Sequence, residues 1–112
     1  MSARLRRNLD FLRILSKASP AQRKAILESA SKDLIYCICE IIDNILHGTV
    51  KLSKQRQTKL LRYKKLLRFI NDKKVAVNKK KKVLIQKGGG FLPALIVPIL
   101  ALAGSLLSHG TR

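Results

Sequence analysis

From residue 49 onward, sixteen Lys and Arg side chains stand against a single acid, Asp72. Like charges at that density repel one another and cannot share a core, so this half of the chain must hold its cations at the surface or against a polyanion. The first half differs in kind: residues 1–48 carry eight basic and five acidic side chains. The formal net charge of +18 is therefore concentrated in one half, and it calls for an anionic partner. At 112 residues the chain holds one small domain at most, which argues against a deep, walled active site.

Apolar residues recur at helical spacing through the first 71 positions. Leu5, Leu9, Leu12 and Leu15, with Phe11 and Ile14 beside them, predict an amphipathic helix from Arg4 to Lys17. Ser19-Pro20 is a helix start, Ser as cap and Pro where its missing N–H costs nothing. A second helix is expected from Pro20 to His47, with Leu27, Ala30, Leu34, Cys37, Ile38, Ile41, Ile42 and Ile45 as its stripe and Gly48 as its stop. Ser53 opens a third, in which Leu60, Tyr63, Leu67 and Ile70 share one face. The expectation is an all-α chain: a three-helix module over residues 1–71 and a basic, flexible or helical linker over 72–87. A Gly hinge at 88–90 and an apolar helical tail over 91–112 complete it.

The linker shows no periodic apolar face, and its repelling lysines predict disorder or a frayed helix in free solution. Gly88-Gly89-Gly90 then predicts a break, followed by seventeen uncharged residues from Phe91 to Leu107. A helix of that length spans about 25 Å, short of the roughly 30 Å hydrocarbon layer, and Pro93 and Pro98 weaken a spanning role further. Three uses remain open for Phe91, Leu92, Leu95, Ile96, Ile99 and Leu100: interfacial or lytic insertion into a membrane, anchoring, and core packing or self-association.

The residues expected to bind nucleic acid are Lys54, Arg56, Lys59, Arg62, Lys64, Lys65, Arg68, Lys73, Lys74, Lys79, Lys80, Lys81 and Lys82. Each cation that neutralises a phosphate releases a condensed counterion, so such a run supplies strong, salt-sensitive, sequence-independent affinity for double-stranded DNA. No pattern for base reading accompanies it, and aromatics make up only 4% of the chain, so compaction is expected rather than recognition of a site. Catalytic motifs are lacking: there is no phosphate loop, no nucleophile elbow, and no evident partner for His47 or His109. Cys37 and Cys39, two apart on a helix, face different ways and read as small apolar residues. No metal site or cofactor is expected. The N-terminus has no secretory pattern, so synthesis in the cytosol is expected.

The run Gln86-Lys87-Gly88-Gly89-Gly90-Phe91, set between a lysine-rich segment and an apolar tail, resembles the maturation site of adenovirus core and membrane-lytic precursors. The organisation is similar to the protein X (mu) core precursor, and more so to its relatives in adintoviruses and Polinton-type elements. That resemblance implies a virion core protein, located in the virion and in the host nucleus during assembly. It also implies cleavage by an adenovirus-type cysteine protease between Gly89 and Gly90, separating a DNA-binding body (1–89) from an apolar peptide (90–112). The alternatives are a cationic membrane-active protein for which DNA binding is incidental, and a tail-anchored or oligomerising adaptor.

Overall fold

The structure, a computed structural model, describes residues 2–48 and 50–110, with side-chain surroundings as far as residue 102. Every regular element among them is helical: α1 (Ala3–Lys17), α2 (Pro20–Glu28), α3 (Lys32–Leu46), α4 (Lys54–Leu61), α5 (Lys64–Asn71) and α6 (Val77–Gly110). The all-α class expected from the sequence is the class observed. Residues 111 and 112 of the expected tail lie outside the described residues, as do the surroundings of the His109 side chain.

Serine starts four of the helices. Ser2, Ser19, Ser31 and Ser53 each accept the backbone N–H three residues on, and Ser19 with Gln22 forms a full capping box ahead of Pro20. Gly48, at φ 71°, takes the left-handed conformation that ends α3 and that a side chain would disfavour.

The expected second and third helices are each two helices. At Ser29-Ala30-Ser31 the serine side chains compete for backbone groups: Ser29 Oγ donates back to the Ala25 carbonyl (3.1 Å), while Ser31 Oγ caps a new start. The other break, at Arg62-Tyr63, carries no helix-breaking residue. There the chain turns where the Tyr63 ring packs on Phe91, centroids 5.3 Å apart.

Of the two forms expected for the linker, flexible or helical, the helical one is observed from Val77 on, whereas the expected Gly hinge is corrected. Only residues 72–76 leave the helical conformation, and α6 then runs unbroken through Lys79–Lys82, the three glycines and both prolines. The inner stripe of α6 is Lys80, Leu84, Gly88, Phe91, Leu95 and Ile99, spaced by four, four, three, four and four, with Leu92 and Ile96 alongside; all are buried. α6 touches each of the other five helices, and α3 also packs on α1 and α5, so residues 1–71 close both around α6 and on themselves. The buried stripes of α1 (Leu5, Leu9, Leu12, Leu15) and α3 (Leu34, Cys37, Ile38, Ile41, Ile42) follow the expected pattern. Phe11 and Ile14 instead face solvent.

The glycines permit close approach. A Cβ on Gly90 would collide with Tyr63 Oη and lie 2.9 Å from Tyr63 Cζ. One on Gly89 would sit 3.3 Å from the buried Arg23 guanidinium, and one on Gly88 would meet only the flexible end of Leu92. Gly90→Ala is therefore expected to lower the urea midpoint despite a helix-propensity gain of about 1 kcal/mol. Gly88→Ala, where Leu92 can yield, is expected to leave the midpoint equal or raise it.

Asp33 joins α1 to α3. Its carboxylate accepts from Arg7 (3.1 Å), Asn8 (2.9 Å) and Arg4 (3.2 Å), and the bonds from Arg7 and Asn8 lead in lowering its pKa from 3.8 to about 2. As pH falls, the unfolded chain takes up this proton first, so the contribution is complete above the ordinary carboxylate range and lost on approach to pH 2. Urea titrations from about pH 5 to about pH 2 are expected to show wild type more stable than Asp33→Asn at the upper end, with the difference closing as the pH drops.

Candidate nucleic-acid interface

The six acids are all occupied locally. Asp10 lies 3.6 Å from Arg13, Glu28 3.9 Å from Lys24, and Asp33 holds Arg4 and Arg7. Glu40 accepts from Ser2 Oγ (2.7 Å), Asp43 from Asn71 Nδ2 (3.2 Å), and Asp72 from the Lys74 backbone N–H (2.9 Å). Exposed pairs of this kind add about 0–1 kcal/mol of stability, but they do neutralise charge. Every Lys or Arg so neutralised lies in the first half of the chain.

In the second half the arrangement reverses. Among the described residues, none of the fifteen cations from Lys51 to Lys87 has an acid within ion-pair distance, and thirteen are exposed. Lys54, Arg56 and Lys59 stand on α4, Arg62 at the α4–α5 bend, and Lys64, Lys65 and Arg68 on α5. The sequence of α4 and α5 explains this display: Leu60, Leu67 and Ile70 turn inward, which leaves the intervening cations outside. Lys73 and Lys74 follow on the turn, with Lys79, Lys82 and Lys87 on the outer side of α6. α4 and α5 both pack on α6, so the exposed cations stand on helices that are in mutual contact and on the turn that joins two of them.

Two expected binding residues are not on that surface. Lys81 is half-buried, and its Nζ donates to the Ala30 carbonyl (3.2 Å), where α2 gives way to α3. Lys80 is only 4% exposed, because it lies four residues before Leu84 on the inner stripe of α6. That spacing was present in the sequence but hidden by the uniform run of four lysines. Lys51, exposed between α3 and α4, joins the exposed cations and was not singled out in the sequence because no periodic element contains it.

The candidate cleavage residues are placed within α6. Gln86, Lys87 and Gly89 are exposed, Gly90 is half-buried and Gly88 is buried. Pro93 has no N–H to give the Gly89 carbonyl, so the helix is weakest where its glycines lie. The candidate membrane residues lie in the core: Phe91, Leu92, Leu95 and Ile96 are fully buried, Ile99 is 3% exposed, and Leu100 is half-buried. The segment 77–102 is long and apolar enough to cross a membrane by length and composition, yet its inner side is already covered by the other helices.

Burial disfavours the thiolate form of both cysteines. Burial, assisted by Glu40 and Asp33, pushes Cys37 up to about 12. Burial also raises Cys39, against the opposing charge of Lys80, and its Sγ donates to the Ile70 carbonyl at 3.5 Å. Comparison with known proteins identifies no relative: no family model, no curated protein and no solved structure matches the chain.

Proposed function

We propose that this chain is a non-enzymatic basic protein that binds and compacts double-stranded DNA without reading its sequence, in the manner of a virion core protein. The observation that carries the reading is the one-sided charge. Among the described residues, thirteen exposed cations between Lys51 and Lys87 have no carboxylate within ion-pair distance; five of the six acids lie in the first half, and Asp72, on the turn, accepts the Lys74 backbone N–H. A surface that needed charge only for solubility would intersperse both signs. The cations stand on helices and a short turn, so they meet a phosphate backbone partly pre-organised.

In this reading α6 is the beam that carries part of the interface on its outer side. Processing between Gly89 and Gly90, and membrane contact by Phe91 to Leu100, form a second stage of the same proposal. A protease groove needs extended chain, so α6 must first unwind at its glycines, and the apolar residues reach a bilayer only after leaving the core. Location in the virion and the assembling nucleus follows from the same reading.

Binding to a short duplex, followed by fluorescence anisotropy, tests the proposal. Affinity is expected to fall steeply between about 50 and several hundred mM salt and to be alike for A·T-rich and G·C-rich duplexes. Replacing Lys54, Lys59 and Lys64 together by Gln is expected to reduce the log–log salt slope by about one per lysine that meets a phosphate. Replacing the exposed first-half cations Arg6, Lys17 and Lys32 is expected to change it far less. Equal losses from the two triple variants would sink the interface, and stronger binding to anionic vesicles than to DNA would favour the membrane-active alternative.

A further inference from the structure

The N-terminus of α6 opens onto a cleft against α3, lined by Arg4, Glu40, Asp43, Lys73, Lys74 and Lys80 among others. Two features at that cleft are short of strong acceptors. The first is backbone: the Ala76 carbonyl takes the N–H groups of Lys79 (3.0 Å) and Lys80 (3.1 Å), but the N–H groups of Val77 and Asn78 find no acceptor among the described residues. Ala76, at the cap position, brings no side-chain oxygen to them. They stand at the positive end of a 34-residue helix.

The second is the Lys80 side chain. At 4% exposure it is the most deeply buried cation among the described residues, where its one hydrogen bond is to the Cys39 thiol, 3.9 Å away. An ammonium withdrawn from water needs an anion or oxygen acceptors to offset its lost hydration, and a thiol is a weak acceptor. The acids on the cleft wall are directed elsewhere: Glu40 accepts from Ser2, and Asp43 accepts from Asn71 and lies 3.2 Å from His47 Nδ1. Four cations line this cleft against those two acids.

We propose that the cleft is a phosphate-binding site. Lys80 Nζ supplies the buried charge, the N–H of Val77, which lines the cleft, and that of Asn78 next to it supply directed donors, and Lys73 and Lys74 complete the lining. A tetrahedral anion at a helix N-terminus, charge-paired by one buried lysine, satisfies both sets of unmet donors together. A phosphate of the DNA backbone and free inorganic phosphate share this chemistry. Only the choice of DNA as the source rests on the function proposed above. In that case the cleft fixes a single phosphate in register while the outer cations bind diffusely.

The test is a titration of the full ¹⁵N-labelled chain with inorganic phosphate at constant ionic strength, followed by amide shifts. Saturable shifts are expected at Val77 and Asn78, retained in Lys17→Met and lost in Lys80→Met. Ala76→Asp, which places a capping carboxylate on the same N–H groups, is expected to abolish binding while strengthening the start of α6. That variant decides the matter should Lys80→Met fail to fold. Unmoved Val77 and Asn78 amides in the wild type overturn the proposal, as does undiminished binding in both variants. Adding duplex DNA then identifies the source: displacement of phosphate assigns the cleft to the DNA backbone, and persistence assigns it to free phosphate. Phosphate binding in a chain with no affinity for duplex would retain the cleft and discard the DNA reading.

Discussion

The inner stripe of α6 is the surface on which the other five helices close. Leu84, Phe91, Leu92, Leu95 and Ile96 are each fully buried, and side chains of that kind contribute about 1.5–3 kcal/mol apiece when removed from water. Their central position determines where charge can go. Once α4 and α5 turn Leu60, Leu67 and Ile70 into the core, the intervening lysines and arginines are left facing solvent. The cationic surface is thus the outer side of the apolar packing, and the two cannot be altered independently.

Periodicity and capping chemistry made much of this legible. The stripes of α1 and α3 and the starts at Ser19 and Ser53 follow from spacing and from the serine hydroxyl as an acceptor. The break at residues 29–31 was legible too, since Ser31 with Asp33 in the following turn is a start signal; a continuous apolar stripe masked it. The bend at Tyr63 was not legible, because it depends on an aromatic partner 28 residues away. Local propensity misled most at α6. Three glycines and two prolines weaken a helix in isolation, but each glycine here lets a neighbouring side chain approach, and the packing of Phe91 to Ile99 outweighs the local cost.

For the candidate site, residue types were legible and directions were not. A run of four lysines reads as uniform charge, whereas a helix rotates each residue by about 100°, sending Lys79 and Lys82 outward, Lys81 to a carbonyl and Lys80 inward. Pairing was equally hidden: nothing in the chain order links Asp33 to Arg4 and Arg7, and that contact removes two arginines from the free cations.

An uncompensated cationic half also acts on the fold itself. Thirteen exposed charges without partners repel one another across α4, α5 and α6, and this self-repulsion opposes the compaction that the apolar stripe drives. A polyanion that bound the assembled surface better than a dispersed chain would reverse the sign of the effect and stabilise the folded state by mass action. The weakest stretch of α6, Gly88 to Pro93, lies directly beyond the last of these cations, Lys87. The opening of that stretch is therefore coupled to how well the charges before it are neutralised. A polyanion bound on the outer side of α4, α5 and α6 would hold the beam together, and its release would leave the glycines as the first place to yield.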